Sequence, residues 1–112
     1  MSELDIINTK YRTEAIKTLL RNHSPLLSDV LDASGDGMNK NATVDAMDLD
    51  EPFETLLRVA WDIWNGTGET EFSKVLESLC TEDFMAFIDS MEKCTELRRK
   101  IHGAHISGSE ND

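Results

Sequence analysis

The stretch from Phe53 to Trp64, FETLLRVAWDIW, constrains the fold more than any other part of the chain. At about 100° of rotation per residue, Phe53, Leu56, Leu57, Ala60, Ile63 and Trp64 fall within an arc of roughly 120°. Val59 and Trp61 flank that arc, which leaves Glu54, Thr55, Arg58 and Asp62 on a narrow polar stripe. A helix apolar over more than half its circumference needs neighbours on several sides. The pattern therefore predicts an all-α protein with this helix at its centre. Asp50-Glu51-Pro52 is a start signal before it, and Asn65-Gly66 is a stop signal after it.

The remaining segments read as its partners. Leu4, Ile7, Tyr11, Ala15 and Leu19 recur at helical spacing across about residues 4–22, and Ile16 and Leu20 widen the stripe. Asn22-His23-Ser24-Pro25 breaks that helix. Ser24 is placed to cap a short one that ends near Ala33, with Leu26, Leu27, Val30 and Leu31 on one face. After Asn65-Gly66, a helix from about Glu71 to Cys80 is expected to turn Phe72, Val75, Leu76 and Leu79 inward. Thr81 caps the next, with Glu82 and Asp83 at its positive end and Arg98, Arg99 and Lys100 near its negative end. Phe84, Phe87, Ile88, Met91 and Cys94 share one face of it, and Gly103 is read as its stop.

Between the second and third helices, residues 34–49 lack periodicity. Gly35 and Gly37 interrupt any helix, and Met38, Val44, Met47 and Leu49 are the few residues able to dock it. A loop this long exceeds most connections in compact domains. The expectation is a single domain over residues 1–103: a small bundle of four to five helices with a flexible loop near 34–49, followed by a disordered tail at 104–112. No strand pattern and no internal repeat is present in the sequence.

Charge narrows the function. The chain carries a formal net charge of −11, and all of that excess lies in residues 45–96, where 14 acids face only Arg58, Lys74 and Lys93. Such a field repels nucleic acid and membrane surfaces and attracts basic partners. No run approaches the roughly 20 apolar residues that span a bilayer. The first residues, Met-Ser-Glu-Leu-Asp, are acidic where a secretory leader is basic, so a cytoplasmic location is expected. Cys80 and Cys94 lie roughly 20 Å apart if one helix joins them, too far for a disulfide, and both are expected to be reduced and turned to the core.

Candidate chemistry is sparse. Asp32, Ser34, Asp36 and Gly37 match positions 1, 3, 5 and 6 of an EF-hand loop, but Thr43 stands where the bidentate glutamate belongs, and Lys40 adds positive charge. That loop is read as a helix stop, with a weak calcium-responsive switch through residues 32–43 as an alternative. Cys80, Cys94, His102 and His105 lack the close spacing of a structural zinc site. None of the histidines belongs to a known catalytic motif. The expectation is a protein that is not an enzyme and needs no cofactor or metal.

The remaining reading is a non-catalytic, acidic protein-interaction module. It would act as an inhibitor or adaptor that binds a basic, nucleic-acid-binding protein, its carboxylates standing in for phosphates. Asp45, Asp48, Asp50, Glu51, Glu54, Asp62, Glu69 and Glu71 are the candidate partner-binding acids, and Trp61, at the edge of the apolar arc, is the candidate anchor. A self-associating structural module, a homodimer held by apolar surface, is the other alternative.

Overall fold

In a computed structural model the backbone is described for residues 3–106 and the side chains for residues 7–100. The elements are α1 (Glu3–Leu19), α2 (Ser24–Val30), α3 (Val44–Met47), α4 (Phe53–Asn65), α5 (Phe72–Ser78) and α6 (Thr81–Ile106). Among the described residues there is no strand, only an isolated antiparallel bridge between Leu31 and Met38. The all-α bundle expected from the apolar patterning is the fold that forms.

The broad apolar arc puts α4 at the centre. Leu56, Leu57 and Ala60 are wholly buried, and Val59 and Ile63 nearly so. They pack with Ala15, Ile16 and Leu19 of α1, Val30 of α2 and Val75 of α5. Each fully buried leucine contributes roughly 1.5–3 kcal/mol of transfer free energy. Thr55 is also fully buried although it lies on the polar stripe. Its hydroxyl donates to Glu51 Oε1 at 2.6 Å and its backbone N–H to the same oxygen at 3.0 Å, which removes the cost of burying it. At the other end Gly66 takes φ +71°, the left-handed turn that favours glycine after a helix.

α1 and α6 form the longest packed pair and run antiparallel. Arg21 meets Asp89 near one end, while Tyr11 shares a shallow cleft with Glu96 and Arg99 towards the other. α6 continues through Gly103 to Ile106, so the expected stop is not one. A glycine inside a helix costs only about 1 kcal/mol relative to alanine, and no proline comes after it to end the helix. Residues 104–106 are helical, and the rest of the expected tail, 107–112, lies outside the described residues.

The connection between α2 and α4 is more structured than its sequence suggests. Asp32 N–H donates to Gly37 O at 2.8 Å and Asn39 N–H to Val30 O at 2.7 Å, closing a small loop back onto α2. Met38 and Ala42 are buried, and Thr13 Oγ1 of α1 lies 3.1 Å from Asp36 O. Thr43 Oγ1 then accepts from Ala46 N–H at 3.1 Å and caps the single turn of α3. This turn is the sixth helix, beyond the four or five expected. At α2, His23 and not Ser24 occupies the cap position, and its side chain is engaged elsewhere.

Candidate interaction surface

The residues expected to meet a partner divide into two groups. Glu51, Glu54 and Asp62 are already paired with other groups of the chain. Glu51 holds Thr55 through one oxygen and approaches Lys74 Nζ at 3.4 Å through the other. Burial raises its carboxyl, but the bonds from Thr55 and the charge of Lys74 outweigh this and leave it below its ordinary value. Glu54 pairs with Arg58 one turn along α4 at 2.8 Å. Asp62 accepts from Thr67 Oγ1 at 2.7 Å, Glu69 N–H at 3.2 Å and Thr70 N–H at 2.9 Å, and so shapes the loop that leads into α5. Burial raises the Asp62 carboxyl too, and the bonds from Thr70 and Thr67 again prevail and hold it low.

Asp45, Asp48, Asp50, Glu69 and Glu71 form the second group. All five are exposed, and none makes a salt bridge among the described residues. Asp45 sits in the first turn of α3 and Asp48 closes it, while Glu71 occupies the cap position of α5. Fixed backbone positions hold these carboxylates with their charge turned to solvent.

Trp61 is half-buried and already employed. Its indole N–H donates to Ala42 O at 2.6 Å and fastens the 34–43 loop to α4. The large apolar side chains that do face solvent lie elsewhere. Phe72 is 61% exposed and Leu76 54% on α5, and Met85 is 57% and Ile88 46% exposed on α6. The inward orientation expected of Phe72 and Leu76 is therefore not the one they take, and Ile88 is more exposed than the residues it was expected to share a face with. A helix as short as α5 buries only one edge, and Val75 and Leu79 take it, which leaves Phe72 and Leu76 on the outside. The signal in the sequence is an apolar stripe wider than a two-turn helix can bury. Exposed Glu77 and Glu82 lie on the same two helices.

A further cluster joins distant parts of the chain. Asp83, in the first turn of α6, is 1% exposed, and its oxygens lie 2.9 and 2.8 Å from His23 Nε2. Asn22 Nδ2 adds a contact at 3.2 Å, and the His23 ring meets Phe53 edge-on at 5.1 Å between centroids. Burial pushes the Asp83 carboxyl up, but the bonds from His23 and Asn22 and the charge of His23 outweigh it, so its value lies below the ordinary one. Neither partner sits in a motif, which hides the pair from sequence reasoning. Cys80 is exposed, contrary to expectation, and Cys94 is half-buried, its thiol pushed up by burial against the opposing charge of Arg12. A thiol shifted in that direction is a poorer nucleophile.

In the loop that resembles a calcium site, Asp32 Oδ1 accepts from Ser34 Oγ at 2.6 Å, Ser34 N–H at 3.1 Å and Gly35 N–H at 3.0 Å. The carboxylate thus serves as the acceptor of its own turn. Its charged form is favoured chiefly by the Ser34 hydroxyl. Among the described residues no three histidine, cysteine, aspartate or glutamate side chains converge as a metal site would require. No helix of the described residues is long and apolar enough to cross a membrane. No protein-family model matches the chain, and neither a curated protein nor a solved structure shows significant similarity to it.

Proposed function

We propose that this chain is a non-catalytic interaction module that binds a basic, amphipathic segment of another protein. One observation carries the reading: α5 and α6 present Phe72, Leu76, Met85 and Ile88 to solvent within the part of the chain that holds the whole acidic excess. Exposed apolar side chains among charges of one sign suit a partner that offers both basic and apolar groups. Carboxylates steer the encounter, and burial of the apolar anchors then retards dissociation.

Pure phosphate mimicry would need carboxylates alone, and four large apolar side chains are foreign to it. The acids best placed to steer are Glu69 and Glu71 beside α5, with Asp45, Asp48 and Asp50 beyond them in the α3 region. Trp61 drops out of the anchor set because the 34–43 loop already occupies it.

The test is capture from a nuclease-treated lysate with four forms of the protein: wild type, Glu69→Lys/Glu71→Lys, Asp45→Lys/Asp48→Lys, and Phe72→Ser/Leu76→Ser. The reading expects a basic protein retained at low salt, weakened by the charge reversals and lost with the apolar pair. Capture unchanged by every variant contradicts it. A salt-insensitive homodimer that Phe72→Ser/Leu76→Ser dissolves would assign the same face to self-association.

A further inference from the structure

A groove of about 500 Å³ lies between α5 and α6 over the end of α4, within the size range of small-molecule sites. Its walls are apolar: Val59 and Ile63 from α4, Val75 from α5, and Phe87, Met91 and Leu97 from α6. Few charged groups line it. Asp62 is one, but its carboxylate is spent on Thr67, Glu69 and Thr70. The other two are Arg12 and Arg98. In a chain with 22 acids and 11 bases, neither arginine makes a salt bridge among the described residues.

Both arginines line the groove, and Tyr11, the neighbour of Arg12 in α1, adjoins Glu96 and Arg99 of α6, which puts Arg12 and Arg98 at about the same level of the α1–α6 pair. The charge of Arg12 acts on Cys94, and Arg98 follows Cys94 by four residues on the same face of α6. Phe87 lies about 16 Å away from Arg98 along the helix, at 1.5 Å per residue. The groove is thus cationic at one end and apolar along its length.

Arg12 is also held in place. Its Nε–H donates to Asn8 Oδ1 at 2.7 Å and its Nη1 to Ile63 O, at the negative end of α4. Its guanidinium lies against Gly66, where an added Cβ would come within 3.3 Å of both terminal nitrogens. Among the described residues two of its five N–H groups are used.

We propose that this groove binds a single-chain aliphatic carboxylate, with the chain along Met91 towards Phe87 and the carboxylate between Arg12 and Arg98. Charge complementarity selects that occupant: an apolar wall alone would accept any alkyl chain, whereas two arginines with no salt bridge among the described residues favour an anionic head and repel a cationic one. Phe72 lines this groove as well as the exposed surface of α5, but the inference rests on the two arginines, and Arg98→Gln tests it without altering Phe72.

The experiment titrates the full chain calorimetrically with decanoate, decanol and decyltrimethylammonium, each below its micelle concentration. Decanoate is expected to bind most tightly, decanol about tenfold more weakly, and the ammonium more weakly again. Arg98→Gln changes an exposed residue, so the fold persists. It is expected to cost decanoate about tenfold while leaving decanol unchanged. Met91→Trp fills the groove and is expected to abolish binding of both. If that variant does not fold, the Arg98→Gln comparison decides alone. Absence of decanoate binding, equal affinity for decanoate and decanol, or indifference of decanoate to Arg98→Gln overturns the proposal.

Discussion

Replacing His23 with alanine strands the most deeply buried acid of the described side chains. Asp83 is 1% exposed and keeps the Asn22 contact at 3.2 Å and the bond from the Cys80 thiol once the imidazole is gone. Taking away the partner of a buried carboxylate typically costs about 3–5 kcal/mol, because its charge is left uncompensated. The His23 side chain is 23% exposed, so water can enter its place, and the lower end applies: about 3 kcal/mol. Losing the edge-on contact with Phe53 adds roughly 0.5 kcal/mol. With a urea dependence of about 1–3 kcal/mol per molar, the unfolding midpoint should fall by roughly 1 to 3.5 molar.

The pH dependence supplies a sharper check. In the wild type the Asp83 carboxyl lies below its ordinary value of 3.8, so its stabilising contribution is present above that value and lost as pH falls through the folded one. In His23→Ala the main opposition to burial is removed, so protonation of Asp83 now relieves the folded state. The deficit between the two proteins should therefore narrow as pH drops below about 4. Adding Asp83→Asn to His23→Ala should restore part of the loss, since no buried charge then remains. Urea unfolding followed by circular dichroism measures all of this. A deficit under about 0.5 kcal/mol at neutral pH, or one constant through the acid range, refutes the assignment of the pair.

Three other perturbations probe separate parts of the fold. Leu57→Ala removes a fully buried side chain from the central helix and should cost about 2–5 kcal/mol in chemical denaturation. Gly66→Ala forces a Cβ into the left-handed conformation and against Arg12, so a loss of at least about 1–2 kcal/mol is expected, read as a drop in Tm. Phe72→Ser alters a side chain that is 61% exposed and should leave stability within about 0.5 kcal/mol, so any loss of partner capture belongs to the surface and not to the fold.

The parts of this fold that are legible in the sequence are those encoded locally. The central place of α4 follows from its own sequence, because a twelve-residue helix apolar over more than half its circumference needs neighbours on several sides. α6 is legible in its start at Thr81 but not in its length, since the effect of Gly103 depends on the residues after it. The inward face of α5 is overcounted by periodicity: Val75 and Leu79 are buried, while Phe72 and Leu76 are not, and spacing alone cannot say how much of a stripe a neighbour will cover. His23 and Asp83 stand 60 residues apart, and nothing local marks either as the other's partner. Arg12 is invisible as a site residue for the same reason, its neighbours Ile63, Gly66 and Cys94 being distant in the chain. Of the acids expected to meet a partner, Glu51, Glu54 and Asp62 read identically to Asp45 or Glu69 in sequence. Only their hydrogen bonds and ion pairs separate them from the acids that make no salt bridge among the described residues.

The chain has two tryptophans, and both lie against the same loop. Trp61 donates to Ala42 O, and the Trp64 ring lies 3.5 Å from where a Cβ on Gly37 would sit. Intrinsic fluorescence is therefore a built-in optical gauge of whether residues 34–43 are docked. Undocking would free the Trp61 indole N–H to water and uncover the Trp64 face, shifting emission to the red with little change in helix content. Because Phe72, Leu76, Met85 and Ile88 contribute no indole, a partner that covers them should leave that signal still unless the loop itself moves. A red shift on binding would then report that the two sides of α4 communicate through the helix between them.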